Sequence, residues 1–154
     1  MAKRLLIVYY SGTGNTERMA EEIGRGARRL GVEVEVKRVE ECSLEDLVEA
    51  DGIVVGSPTY FSNVAWQMKK IIDESVVLYR KRQLKGKVGG CFTSSGTRRD
   101  GENCLKMLEI AFGFHHGMRM LPGIVRVSGD DEKKVSEMCQ QYGAEIAKQL
   151  SNEP

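Results

Sequence analysis

The sequence is short of several things, and each shortage closes off a class of protein. It has no surplus of charge: Lys+Arg number 23 against Asp+Glu 22, a formal net charge of +1. A nucleic-acid binder needs a basic surplus gathered on one face, and an acidic-tail protein needs the reverse. Long apolar runs are missing as well. The longest, Leu5 to Tyr10, falls far short of the ~20 residues that span a membrane. Ser11 and Gly12 follow it instead of a cleavage-type segment. The basic start Met1-Ala2-Lys3-Arg4 therefore does not read as a signal peptide, and a cytoplasmic protein is expected. The four cysteines, Cys42, Cys91, Cys104 and Cys139, include no C-x-x-C pair. That argues against a metal cluster and a disulfide framework and leaves reduced, mostly buried thiols. The two histidines, His115 and His116, are adjacent, and no Cys or carboxylate spacing completes a metal site around them. Prolines number three (Pro58, Pro122, Pro154), and no linker or low-complexity run divides the chain. What remains is an ordinary soluble composition, with 29% charged and 41% hydrophobic residues. A length of 154 residues fits one domain spanning 1–154.

Short apolar runs alternate with helical periods. Leu5 to Tyr10 and Ile53-Val54-Val55 read as strands buried on both faces. Val32, Val34 and Val36 alternate with Glu33, Glu35 and Lys37, as a half-exposed edge strand does. Lys87 to Thr93 and Ile124 to Val127 complete five strands. Between them lie helices marked by Met19-Ala20-Ile23-Ala27-Leu30, by Val64-Met68-Ile71-Ile72-Ser75 and by Cys104-Leu105-Leu108-Ala111-Phe112. Ser43-Leu44-Glu45-Asp46 opens a short helix as a capping box. A last helix carries Val135, Met138, Cys139, Tyr142, Ile146 and Leu150. Five βα units predict an α/β, three-layer flavodoxin-like fold with a five-stranded parallel sheet of order 2-1-3-4-5. A ligand then sits beyond the carboxyl ends of strands 1, 3 and 4.

The loops at those ends carry matching chemistry. Ser11-Gly12-Thr13-Gly14-Asn15-Thr16 runs straight into a helix. Its glycines let backbone approach a ligand, and the helix N-terminus adds partial positive charge. It has no P-loop lysine, and Glu17 stands where a third glycine of G-x-G-x-x-G would be. Neutral donors of this kind suit a single terminal phosphate; the plainer alternative is a Gly-rich turn capped by Thr13 or Asn15. The second loop, Gly56 to Asn63, contains Pro58, Thr59, Tyr60, Phe61 and Asn63. Its adjacent aromatics suit a flat ring ligand, with Tyr60 the better stacking candidate and Phe61 divided between ligand and core. Trp66, just beyond, reads as helix packing. The third loop, Thr93 to Gly101, offers Thr93, Ser94, Ser95, Gly96, Thr97 and Arg98. Phosphate pocket, aromatic wall and polar clamp together match flavin mononucleotide (FMN).

These three motifs, in this order, resemble the flavodoxin family across essentially the whole chain. Gly56 to Asn63, Met68 and His115-His116-Gly117-Met118 resemble, within it, the WrbA-type NAD(P)H:quinone oxidoreductases. Only Val39 to Asp51 lies where that branch carries a long insert, so the length resembles short-chain flavodoxins. The resemblance implies FMN as cofactor, with the flavin carrying the chemistry and no catalytic side chain or metal. It also implies that His115 reaches a flavin, within a chain or across a subunit contact; by itself the His pair reads as a helix C-cap.

Two uses of a flavin compete. A strongly reducing carrier surrounds it with acidic residues. Here Ser57 to Trp66 has no charge, and Arg98 and Arg99 offset Asp100 and Glu102. Two arginines also suit the phosphates of a nicotinamide cofactor. The third loop has no aromatic to cover the second ring face, which favours access for a small reactant. The first expectation is an oxidoreductase passing electrons from NAD(P)H to a quinone or similar small acceptor. The alternatives are a flavodoxin-like carrier that docks onto redox proteins and a non-redox FMN or phosphate-ligand module. The oligomeric state stays open, a homo-oligomer included. Other users of such a sheet fail: a phosphorelay receiver needs Asp where Ser57 and Pro58 stand, and Cys91 to Arg98 is one residue too long for a phosphatase Cys-x5-Arg.

Overall fold

The computed structural model describes residues 2–152. Met1, Glu153 and Pro154 of the predicted domain lie outside the described residues. The first apolar run becomes β1 (Arg4–Tyr9), flanked in parallel by β2 (Glu33–Arg38) and β3 (Gly52–Pro58). β4 (Val88–Ser95) pairs with β3. Every residue of β3 and β4 is buried, which is why they lack a polar alternation. β2 lies at the rim with alternate residues exposed, as its Val/Glu pattern predicts.

The order 2-1-3-4-5 is the predicted one, but the fifth lane is split. β5 (Arg119–Met120) pairs with the start of β4, and β6 (Ile124–Val127) with its end. Between them Pro122 lacks the N–H that a ladder needs. Gly123 passes so close to β4 that a Cβ on it would lie 2.8 Å from Cys91 Sγ.

The two faces of the sheet carry separate cores. Leu5, Ile7, Tyr9 and Phe92 pack under α1 (Asn15–Arg28) and α6 (Glu132–Ser151). Leu6, Val8, Ile53 and Val55 pack under α2 (Leu44–Glu49), α3 (Trp66–Glu74), α4 (Val76–Arg80) and α5 (Arg98–Leu108). Strand alternation assigns the residues to these faces. The capping box forms as predicted: the Ser43 hydroxyl accepts from Asp46 N at 3.1 Å, and Asp46 accepts from Ser43 N at 2.9 Å. The single helix predicted over 64–75 breaks at Ser75, whose hydroxyl donates to the Ile72 carbonyl at 2.7 Å. Among the described residues no helix is long and apolar enough to cross a membrane. The four cysteines are free thiols, three of them buried. Burial pushes Cys42 and Cys139 up to about 12, so both stay protonated and unreactive at neutral pH.

α5 continues as a wider π-helical segment, Glu109–His115, and the chain turns at Gly117 with φ +76. This widening buries His116 and leaves His115 exposed. His116 Nε2 meets Ser75 Oγ at 2.8 Å, and its ring stacks on Phe112. Its Nδ1 is buried without a partner. Burial, and then neighbouring His115, hold the His116 pKa below the ordinary 6.5. The unfolded chain therefore takes up a proton as pH falls through that value while the folded chain does not. Stability falls over that window until the lower, folded pKa is reached. Urea titrations between about pH 7.5 and 5.5 check this. His116→Gln, which keeps a partner for Ser75, should flatten part of the acid loss; an equal loss in both proteins would refute it.

Candidate functional site

The carboxyl ends of β1, β3 and β4 converge, and the loops after them form one crevice. The first begins at Tyr10, whose N–H donates to the Gly56 carbonyl at 3.1 Å. Ser11 Oγ accepts from Gly14 N at 3.1 Å and closes the loop on itself. Gly14 adopts φ +101 at the N-cap of α1 and supplies no side-chain cap. The first N–H groups of α1 are thus left to an incoming acceptor. Gly12 and Thr13 are exposed and Asn15 is half-buried. A Cβ on Gly12 would meet the Tyr60 hydroxyl at 2.9 Å, so the second loop leans directly on the first.

Beneath this surface the predicted hydroxyls bond to one another. Thr16 Oγ1 and Ser94 Oγ share a buried hydrogen bond at 2.9 Å, and Thr59 Oγ1 and Thr93 Oγ1 share another at 2.6 Å. Thr59 N donates to the Ser94 carbonyl at 2.8 Å. Ser57, fully buried, donates to the Pro58 carbonyl and accepts from Ala65 N. These bonds lock the three strand ends together, so Thr16, Pro58, Thr93 and Ser94 form the floor rather than the rim.

The second loop is a tight turn. Tyr60 N donates to the Asn63 carbonyl, and Asn63 N to the Tyr60 carbonyl, both at 2.9 Å. The central residues Phe61 and Ser62 have φ +52 and +62. Phe61 is wholly solvent-exposed, so it is not core, and Tyr60 is 46% exposed. Trp66, expected to pack within its helix, is instead 69% exposed at the start of α3. Its position precedes the buried stripe of Met68 and Ile71, so its ring falls outside it.

The third loop is shorter than predicted. β4 runs on to Ser95, and α5 already begins at Arg98 because Thr97 caps it, accepting from Asp100 N at 3.2 Å. Only Gly96 and Thr97 remain as loop, while Arg98 and Arg99 stand exposed on the first helical turn. Ser95 Oγ donates to the Thr97 carbonyl at 2.7 Å.

Four residues that the sequence did not single out as ligands shape the crevice. Arg38 Nη2 donates to the Ser11 carbonyl at 3.1 Å, with its guanidinium over the Tyr9 and Tyr10 rings. Ser62 Oγ donates to Asp100 Oδ1 at 2.8 Å and accepts from Asn103 Nδ2 at 3.3 Å. The Ser62 and Thr97 hydroxyls hold the Asp100 carboxyl below the usual carboxylate range. His115, by contrast, is not brought here within one chain. It ends the π-helical segment just before β5, which pairs with the opposite, amino end of β4. There it lines an apolar groove of about 440 Å³ with Ile72, Val76 and Tyr79.

The donor set fits FMN on the structure's own terms. The anion end has an uncapped helix start and glycines in place of side chains, and the ring end has exposed Tyr60 and Phe61. Comparison with known proteins agrees. An NAD(P)H dehydrogenase (quinone) from Cupriavidus metallidurans is 36% identical over 138 residues, covering 77% of this chain and 69% of that protein. The structure of a flavodoxin from the domain Archaea superposes with a TM-score of 0.81 at 30% identity, over 97% of this chain and 99% of that one. A WrbA-like flavodoxin from Agrobacterium tumefaciens gives 0.83 at 28% identity, over 99% and 100%. The model of the family described as NADPH-dependent FMN reductase matches residues 4–132. That match takes in all three loops and every strand, and the chain belongs to this family.

Proposed function

We propose that this protein binds FMN in the crevice and passes electrons from NAD(P)H to a quinone or similar small acceptor. The observation that carries the reading is the meeting, at the carboxyl end of the sheet, of an uncapped helix start and an exposed aromatic turn with no acidic side chain between Ser57 and Ala65. When bound, FMN supplies the redox chemistry, taking electrons from a nicotinamide and yielding them to the acceptor. The chain's residues hold and orient it. Gly12, Thr13, Gly14, Asn15 and the first N–H groups of α1 take the phosphate, with Ser11 closing their loop. Tyr60 and Phe61 wall the ring, with Asn63 closing their turn. Ser95, Gly96 and Thr97 line the opposite edge, over the braced floor of Thr16, Pro58, Thr59, Thr93 and Ser94. Arg98 stands where a donor's phosphates would approach, and a second copy is required to bring His115 to this crevice. Donor and acceptor are supported by the name of the relative from C. metallidurans, and a cytoplasmic location by the free thiols.

A second reading has its own support: the archaeal flavodoxin matches this chain nearly end to end. Steady-state oxidation of NAD(P)H with benzoquinone separates them. Turnover well above that of the same concentration of free FMN is expected. Turnover equal to free FMN would overturn the enzyme and favour a carrier. Colourless protein that takes up no FMN would overturn both.

A further inference from the structure

We infer that Asp100, acting through Ser62 and with Asn103, is a positioning residue that fixes the Tyr60–Asn63 turn over the ligand crevice. The inference rests on the flavin reading above and assigns a role to residues outside the ligand contacts. Both central residues of the turn lie in the left-handed region, which a side chain bearing a Cβ disfavours. No packing offsets this at Phe61, whose side chain is fully in solvent. Internally the turn has the two backbone bonds between Tyr60 and Asn63. A pair of bonds of that kind does not by itself stabilise an isolated hairpin. The clamp outside it runs from Ser62 Oγ to Asp100 Oδ1 at 2.8 Å and from Asn103 Nδ2 to the same hydroxyl at 3.3 Å. Asp100 and Asn103 are three residues apart, so both face the turn from one side of α5. The Thr97 hydroxyl caps the helix by accepting the Asp100 N–H and also lies beside the Asp100 carboxylate, with Arg99 3.8 Å away. The carboxylate's 2.8 Å bond nonetheless goes to Ser62, on another element. Thr97 is itself tied to Ser95 at the end of β4. A continuous line of bonds thus links the rigid sheet to the aromatic wall.

Two measurements test this on the full chain. In the ligand-free protein, amide hydrogen exchange at Tyr60 and Asn63 should speed up in Asp100→Ala and return toward wild type in Asp100→Asn, which keeps an acceptor oxygen. By fluorescence titration, Asp100→Ala and Ser62→Ala should each weaken FMN binding roughly five- to tenfold. The double variant should be no worse than either alone, as coupled neighbours require. Additive losses, unchanged FMN affinity or unchanged exchange at the turn, with wild type binding FMN normally, would overturn the clamp alone. Failure of the wild-type protein to bind FMN would overturn the flavin reading and this proposal with it, whatever the exchange shows.

Discussion

Gly143→Ala should cost about 2–3 kcal/mol of stability, from overpacking at a contact that has nowhere to give. A Cβ on Gly143 would lie 1.9 Å from the Ile23 carbonyl oxygen, and one on Gly26 would lie 2.0 Å from the Gln140 carbonyl oxygen. At these two points α1 and α6 touch backbone to backbone. The contact is reinforced by Gln140 Nε2 donating to Glu22 at 2.6 Å. Two opposed effects must be weighed. Alanine is the better helix former by up to ~1 kcal/mol. Against that, the obstacle is a carbonyl inside a helix, so one whole helix must shift, and overpacking of this kind runs to ~3 kcal/mol or more. The steric term wins. With total stability typically ~5–15 kcal/mol, the loss is large and should appear as a lower urea midpoint with an unchanged slope. Gly96→Ala, where an added Cβ meets nothing within 4 Å, is the control and should leave the midpoint in place. A Gly143→Ala midpoint equal to wild type would show that the helices part freely. The same shift would move the start of α1, so weaker ligand binding should accompany the stability loss.

That seam illustrates where sequence reading stops. Strands, their order and the helix faces are legible because each follows from hydrophobic period and length: Leu5 to Tyr10, the Val/Glu alternation of β2 and the Ser43 capping box all form as expected. Gly26 and Gly143 are illegible, since a glycine inside a helical period looks like a weak helix residue until its neighbour across space is known. The fifth strand is legible but its division is not, because the piece at Arg119–Met120 is too short to show a period. At the site, the three loops were legible as groups of small donors beside strand ends. Which hydroxyls face a ligand was not, because Thr13 and Thr16 are alike in sequence, yet one is exposed and the other is bonded to Ser94, 78 residues away. The Tyr60–Asn63 turn gave no hairpin signal, for Phe61 and Ser62 occupy positions that normally call for Gly, Asn or Asp. The clamp on it joins residues 38 apart.

Gly14→Ala should weaken FMN binding at least tenfold while hardly changing the binding of riboflavin. The reason lies in the backbone, not in space. The Cβ would come to 3.2 Å from Arg18 Nη1, the far end of a flexible side chain that can move away. The φ of +101 cannot be relieved so cheaply. It lies beyond the left-handed well near +57°, where even Asn and Asp become rare, and holding an alanine there costs ~1–3 kcal/mol. The chain escapes by rotating the peptides around residue 14. That rotation breaks the 3.1 Å bond from Gly14 N to Ser11 Oγ and turns the first N–H groups of α1 off their common target. A tenfold change in affinity corresponds to ~1.4 kcal/mol, so losing one charge-assisted hydrogen bond to the phosphate suffices. Riboflavin has the same ring and no phosphate. It should therefore report the Tyr60 wall unchanged, and the ratio of the two affinities isolates the first loop. Equal losses for FMN and riboflavin would mean that the substitution acts through general misfolding or through the ring site. An unchanged FMN affinity would mean that the phosphate end of the crevice lies elsewhere.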